Sequence, residues 1–230
     1  LLGAFERSAR DRTCELVTIV GEPGVGKSRL CAELFTYIEG RPELISWRQG
    51  RCLPYGERVA FWALGEIVKA ECGILESDSP QDAEAKLERA LPQDDADLPW
   101  LRARLAPLVG APAEPAPLAE SFAAWRRFLE SLAAQGPTVL VFEDLHWADD
   151  ALLSFLEHLA DSADGEPLLL LCVARPELYD HYPTWAAGLR NATAINLPPL
   201  TNEETTRLIE SLLDLAVLPV ETQQLLLERA

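Results

Sequence analysis

The run LVTIV, residues 16–20, ends directly on Gly21-Glu22-Pro23-Gly24-Val25-Gly26-Lys27-Ser28, and no other feature of the chain constrains its fold as tightly. An apolar, β-branched run of that length reads as a buried strand. Gly21, Gly24 and Gly26 open backbone conformations closed to other residues, so the chain can wrap tightly there. Helical spacing resumes at once over 27–38. Strand, glycine loop and helix in immediate succession open a layered α/β fold, in which parallel strands alternate with helices.

The rest of the 230 residues keep that rhythm. Apolar runs at 44–49, 138–142, 168–174 and 193–197 read as further strands. Most lack alternation, which suits a parallel sheet covered on both faces. Helical patterns at 61–72, 81–90, 100–108 and 118–134 separate the second strand from the third, and 151–162 separates the third from the fourth. Phe122, Trp125, Phe128 and Leu129 fall at helical spacing and read as core. Residues 77–117, rich in Ala, Pro and acids, read as a partly mobile helical insertion ending in the stiff linker APAEPAP. Thr201-Asn202-Glu203-Glu204 reads as a capping box that opens a helix to about Leu213, with a last helix from about Val220. The expected organisation is a core over 1–200 and the start of a small helical lid over 201–230.

Composition narrows the chemistry. A formal net charge of -17 repels nucleic-acid phosphates, so direct grip on DNA or RNA by these residues is not expected. Cys14, Cys31, Cys52, Cys72 and Cys172 form no CxxC pair, and Cys31 and Cys172 sit in apolar-patterned segments. A reduced, cytoplasmic protein is the simplest account. No apolar run approaches the roughly 20 residues of a membrane span. Methionine is absent even at position 1 and the last helical pattern breaks off at Ala230, so the chain reads as a piece of a longer protein.

The loop itself fits G-x-x-x-x-G-K-[ST]. With glycine at about 7% of residues, the pattern arises by chance in roughly one chain in a hundred of this length, and the flanking strand and helix narrow that further. Its parts suit a nucleoside triphosphate. Glycine-permitted curvature turns N–H groups inward around phosphates, and the helix points its positive end at the anion. Lys27 brings a charge to the β and γ phosphates, and Ser28 offers a hydroxyl to Mg²⁺. Gly21, Glu22, Pro23, Gly24, Val25, Gly26, Lys27, Ser28 and Arg29 are therefore the candidate ATP- and ADP-binding residues.

The metal needs acidic help from the end of another buried strand, and Val139-Leu140-Val141-Phe142-Glu143-Asp144 supplies it. Glu143 is assigned to the metal and Asp144 to the attacking water. The usual order is Asp first and often Glu second. The reversal here makes efficient hydrolysis harder, because the water must be placed within a fraction of an ångström. Arg175 follows the 168–174 strand. If that strand lies between the first and third, Arg175 emerges beside the γ-phosphate and can tell triphosphate from diphosphate. Lys27, Asp144 and Arg175 are the candidate catalytic residues. His146 lacks a second His or Cys at metal-ligand spacing, so His146 and Trp147 read as shaping the loop after the acids. Asp149 reads as a helix cap. The CLPYG phrase, with Arg48 and Arg51 beside it, reads as a solvated loop, with an approach from a neighbouring subunit as the alternative.

With these residues placed, the chain resembles the signal-transducing NTPases with numerous domains, the STAND branch of AAA-like P-loop ATPases. It is similar in particular to the ATPase modules of large LuxR-type transcriptional regulators and multidomain adenylate cyclases. The phrases that carry the likeness are GEPGVGKSRL, GRCLPYGERVAFWALGEIVKA, VLVFEDLHWAD, LLLLCVARPEL and LPPLTNEET, spread over nearly the whole chain. The resemblance implies a three-layer α/β/α sandwich with strand order 5-1-4-3-2, Arg175 as a sensor arginine, and Glu143 with Asp144 as the acidic pair. It also implies adenine contacts from a Gly-Arg-Glu phrase before the first strand and a Gly-Asn-Pro phrase after a helix like ETQQLLLERA, neither of which stands in these residues. The expected function is an ATP-driven regulatory switch with slow hydrolysis. Its partners would be its own output domains, DNA-binding or cyclase, and copies of itself in a nucleotide-dependent oligomer. A turnover ATPase, a scaffold with a decayed site and a small-molecule kinase are the alternatives.

Overall fold

The computed structural model describes residues 1–54, 60–93, 96–163 and 165–213. Helix α1 (Leu2–Asp11) leads into strand β1 (Cys14–Val20), and helix α2 (Lys27–Glu39) returns to β2 (Ser46–Arg51). Helices α3 (Trp62–Glu71), α4 (Pro80–Ala90), α5 (Leu98–Leu105) and α6 (Leu118–Ala133) come before β3 (Thr138–Glu143). After β3 come α7 (Asp150–Ser162), β4 (Leu168–Ala174), the short α8 (Glu177–His181), β5 (Ala192–Asn196) and α9 (Asn202–Leu213). The sheet is five-stranded and parallel throughout, in the order β2-β3-β4-β1-β5, which from the other edge is the expected 5-1-4-3-2.

Every residue of β1 and β4 is buried, which is why neither run alternates in hydropathy. The pleat sends successive side chains to opposite faces. Val17, Ile19, Leu169, Leu171 and Val173 meet α1 and α2 on one face. Leu16, Leu168, Leu170, Cys172 and Ala174 meet the larger layer, which includes α3, α6 and α7, on the other. The result is the three-layer sandwich. Cys14, Cys31, Cys52 and Cys172 are buried among apolar side chains.

Helices α4 and α5 fall within 77–117, and both are built into the larger core. Leu87, Leu101, Leu105, Leu108 and Val109 share one cluster with Trp125, Phe128 and Leu129 of α6. Trp125 Nε1 donates to the Arg104 carbonyl at 2.8 Å. Helix α3 approaches so closely that a Cβ on Gly65 would lie 2.6 Å from the Leu108 oxygen. Residues 111–117 take neither helix nor strand. At the far end, Thr201 Oγ1 accepts from Glu204 N and Glu204 Oε2 accepts from Thr201 N, the reciprocal pair of a capping box opening α9. The helix expected from about Val220 lies outside the described residues.

Two strands sit differently from their apolar runs. Strand β2 covers Ser46–Arg51 in place of 44–49, and β5 covers Ala192–Asn196 in place of 193–197. Both are edge strands, paired on one side only, so their positions are set by backbone register as much as by hydropathy. For β2 that register places Gly50 beneath α3, where an added Cβ would stand 1.9 Å from the Ala63 oxygen. Gly50→Ala must therefore force strand and helix apart. The substitution is expected to cost about 3 kcal/mol or more in urea unfolding, and an unchanged midpoint would contradict this packing.

Candidate functional site

A parallel sheet brings all its carboxyl ends to one edge, and ligands of open α/β folds bind outside that edge. Here the pairing of Val20 with Ala174 sets the positions. The next residues are Gly21 on one strand and Arg175 on the other, with Gly21 N donating to the Ala174 carbonyl at 3.4 Å. Strand β3 lies beyond β4 and ends on Glu143, and β2 lies beyond β3 with Arg51 in register opposite Glu143. The phosphate-loop motif, the arginine and the acids that the sequence singles out thus meet along one edge.

The loop is shaped by two glycines in the left-handed region, Gly24 at φ 86° and Gly26 at φ 100°. A Cβ on either would meet nothing within 4 Å, so what excludes other residues is the dihedral and not space. Gly26 caps the 13-residue helix α2 without any side-chain hydrogen bond, which leaves first-turn amides open to an anion. Lys27 folds back over the loop and donates from Nζ to the carbonyls of Gly21 at 2.5 Å and Glu22 at 2.8 Å. Burial and the nearby Arg175 push the Lys27 ammonium below its ordinary pKa, against the pull of Asp144, Glu22 and Glu177. Arg175 has no carboxylate partner among the described residues. Arg175 is near enough to act on Lys27, and the two bring positive charge to the loop end of a chain whose net charge is -17.

Ser28 is exposed on the first turn of α2. One turn on, the Cys31 thiol is pushed up to about 11, by burial and then by the charge of Glu143. Ser28 offers a hydroxyl on the first turn of α2 and Glu143 a carboxylate at the end of β3, both oxygen donors of the kind a hard cation takes. Among the described residues no cluster of three or more His, Cys, Asp or Glu forms a self-sufficient metal cage. A magnesium ion here would depend on phosphate oxygens and water for its remaining ligands. Arg29 turns away from the loop and pairs with Glu33 on the exposed side of α2, Nε to Oε1 at 2.6 Å. Glu22 and Pro23 are likewise exposed.

The acidic pair is already engaged. Arg51 donates to Glu143 Oε2 from Nη2 at 2.8 Å and from Nε at 3.2 Å, and its Nε lies 3.6 Å from Asp144 Oδ2. One guanidinium therefore spans both carboxylates from within the same chain. Arg48, by contrast, turns to Glu71 of α3 at 2.8 Å. The sequence alone counts neither arginine among the site residues. The signal is present in the register, since a strand reaching Arg51 beside one reaching Glu143 makes them cross-strand neighbours. Residues 55–59 of the CLPYG stretch lie outside the described residues.

Asp144 is left-handed at φ 53°, a conformation aspartate tolerates better than most residues. It turns the chain out of β3 into the tight turn Leu145–Trp147, with Trp147 N donating to the Asp144 carbonyl at 2.9 Å. Asp149 then caps α7 by accepting from Leu152 N at 2.7 Å. His146 is buried on this turn and Trp147 is half exposed, their rings 5.0 Å apart.

A family model described as an AAA ATPase domain matches residues 1–171. An uncharacterized protein of Rhizobium meliloti (strain 1021) is 28% identical over 203 residues, which cover 85% of this chain and 19% of that protein. The chain thus spans about a fifth of the length of that relative. Among solved structures, Drosophila ORC bound to DNA is similar over 99% of this chain and 48% of that one, at 14% identity and a TM-score of 0.47. A Signal Transduction ATPase with Numerous Domains (STAND) protein with a tetratricopeptide repeat sensor, from Pyrococcus horikoshii, is similar over 96% of this chain and 26% of that one, at 16% identity and a TM-score of 0.42.

The Arg51 contacts generate a direct test. A cation at Glu143 must displace or share with the guanidinium, and a pair this exposed is worth under about 1 kcal/mol. Arg51→Met should therefore tighten Mg²⁺ binding in the presence of ADP by about two- to fivefold, read by calorimetric Mg²⁺ titration. Weaker Mg²⁺ binding in the variant would mean that Arg51 assists the metal site instead of competing with it.

Proposed function

The chain belongs to the AAA ATPase domain family, and from that premise we propose that it is the ATP-binding switch of a STAND-type regulator. The observation that carries this reading is the pairing of Lys27 and Arg175 beside the open amides of a left-handed glycine loop. ATP enters with its phosphates on Gly21 to Ser28. Lys27 leaves the carbonyls of Gly21 and Glu22 for the β and γ phosphates, and Arg175 meets the γ-phosphate from β4. Ser28 and Glu143 would hold Mg²⁺, which supplies charge neutralisation between the β and γ phosphates. Asp144 orients the attacking water. Binding draws α9 and the lid it opens over the site, and hydrolysis to ADP releases them.

Slow turnover is supported by two features of the acids. Their order gives the water-orienting place to the shorter side chain, and Arg51 competes for both carboxylates. A competent motor needs a base free to hold water within hydrogen-bond reach. The intact loop glycines, Lys27 and Ser28 weigh against a scaffold with a decayed site. We assign the module to the cytoplasm, in a protein whose output domain, DNA-binding or cyclase, is controlled by its nucleotide state and by nucleotide-dependent self-association.

Lys27→Ala should lower affinity for both ATP and ADP by about 100-fold or more, since it removes charge-assisted hydrogen bonds to two phosphates. The far-ultraviolet spectrum should stay the same, because the lysine is outside the apolar core. Survival of ATP affinity in this variant would refute the site. Asp144→Asn should reduce the hydrolysis rate about 10- to 100-fold with ATP affinity retained, measured as phosphate release. A parallel loss of binding would move Asp144 from the water to the nucleotide.

A further inference from the structure

His146 is only 8% exposed, and among the described residues neither of its ring nitrogens has a hydrogen-bond partner. Other buried side-chain atoms without a hydrogen bond, on Arg48, Glu71 and Arg126, still face an opposite charge in the pairs Arg48–Glu71 and Arg126–Glu130. Among the described residues His146 has no such relief. An imidazole always carries a donor, and when neutral an acceptor as well. Burying both unpaired is costly, and folded chains retain such a group where something outside the polypeptide completes it.

The location says what that partner is. The turn Leu145–Trp147 packs against the end of β4 and against α8. The charges acting on the ring are those of Asp144, Arg175, Glu177 and Lys27. Asp144, Arg175 and Glu177 also act on Lys27. His146 thus feels charges that Lys27 also feels, at the carboxyl ends of β3 and β4. Burial holds the imidazole below its ordinary pKa, so it stands neutral with one N–H to give.

We propose that His146 is a ligand of the terminal phosphate, its ring N–H donating to a γ-phosphoryl oxygen, so that the ring's donor is paired with a triphosphate and unpaired with a diphosphate. This rests on the nucleotide-binding reading above. The ring thereby adds to ATP affinity and not to ADP affinity, and it biases the module between its two states.

The test uses His146→Phe, which keeps an aromatic ring without polar atoms, and His146→Gln, which keeps an N–H donor. AMP-PNP and ADP, each with Mg²⁺, are titrated calorimetrically into the wild-type chain and both variants. His146→Phe should weaken AMP-PNP binding about 10- to 100-fold and change ADP binding less than about twofold, with His146→Gln recovering part of the loss. The nucleotide-free His146→Phe chain should also melt at a higher temperature than wild type, because an apolar ring replaces an unpaired polar one. Equal losses for both nucleotides, no loss for AMP-PNP, a lower melting temperature for the Phe variant, or a Gln variant no better than Phe would each overturn the proposal. Failure of the wild type to bind either nucleotide would overturn the underlying reading and this one with it.

Discussion

The ladder between β1 and β4 is the contact on which the rest of the site depends. Seven residues of each strand pair in parallel, all of them buried, from Cys14 opposite Leu168 to Val20 opposite Ala174. A slip of one residue would turn every side chain to the wrong face, so the register is held by the whole apolar content of both layers. That register, and nothing local to the loop, brings Gly21 and Arg175 side by side. The repulsion between Lys27 and Arg175 is thus sustained by burial elsewhere in the sheet.

The acidic side of the site works the other way. Glu143 and Asp144 are not left waiting for a cation, because Arg51 lies across both. One guanidinium thus offsets part of the charge of two carboxylates, and any cation arriving at Glu143 meets Arg51 there. The left-handed Asp144 and the orphan ring of His146 lie on the same turn. Both are features that a chain selected for stability alone would lose, and such departures concentrate where function needs them.

Much of this is legible in the sequence. The strands that run buried on both faces announce themselves as unbroken apolar runs, and Asp149 and Thr201 behave as the caps their spacing suggests. Helix α1 escapes the hydropathy pattern because only Ala4, Phe5 and Ser8 of it are buried, too narrow a stripe to stand out among charged neighbours. The end of β2 escapes it because its sequence, SWRQGR, is polar, as an edge strand permits. That polarity hides Arg51, whose role depends on cross-strand register and not on any motif. Arg29 stands in the phosphate-loop phrase, and its side chain pairs with Glu33 on the outer face of α2, a contact set by i,i+4 helix spacing and not by the motif. The packing of α4 and α5 into the main core is obscured by the Ala- and Pro-rich composition around them, which says little about where their few leucines point.

The most direct measurement is a titration of Mg²⁺ with ATP into the isotope-labelled chain, followed by backbone amide resonances. The account predicts saturable shifts confined to the carboxyl edge of the sheet: Gly24, Gly26, Lys27 and Ser28 first in size, with Arg51, Asp144 and Arg175 moving alongside them. Shifts that leave the glycine loop untouched, or no shifts at all at millimolar nucleotide, would contradict it.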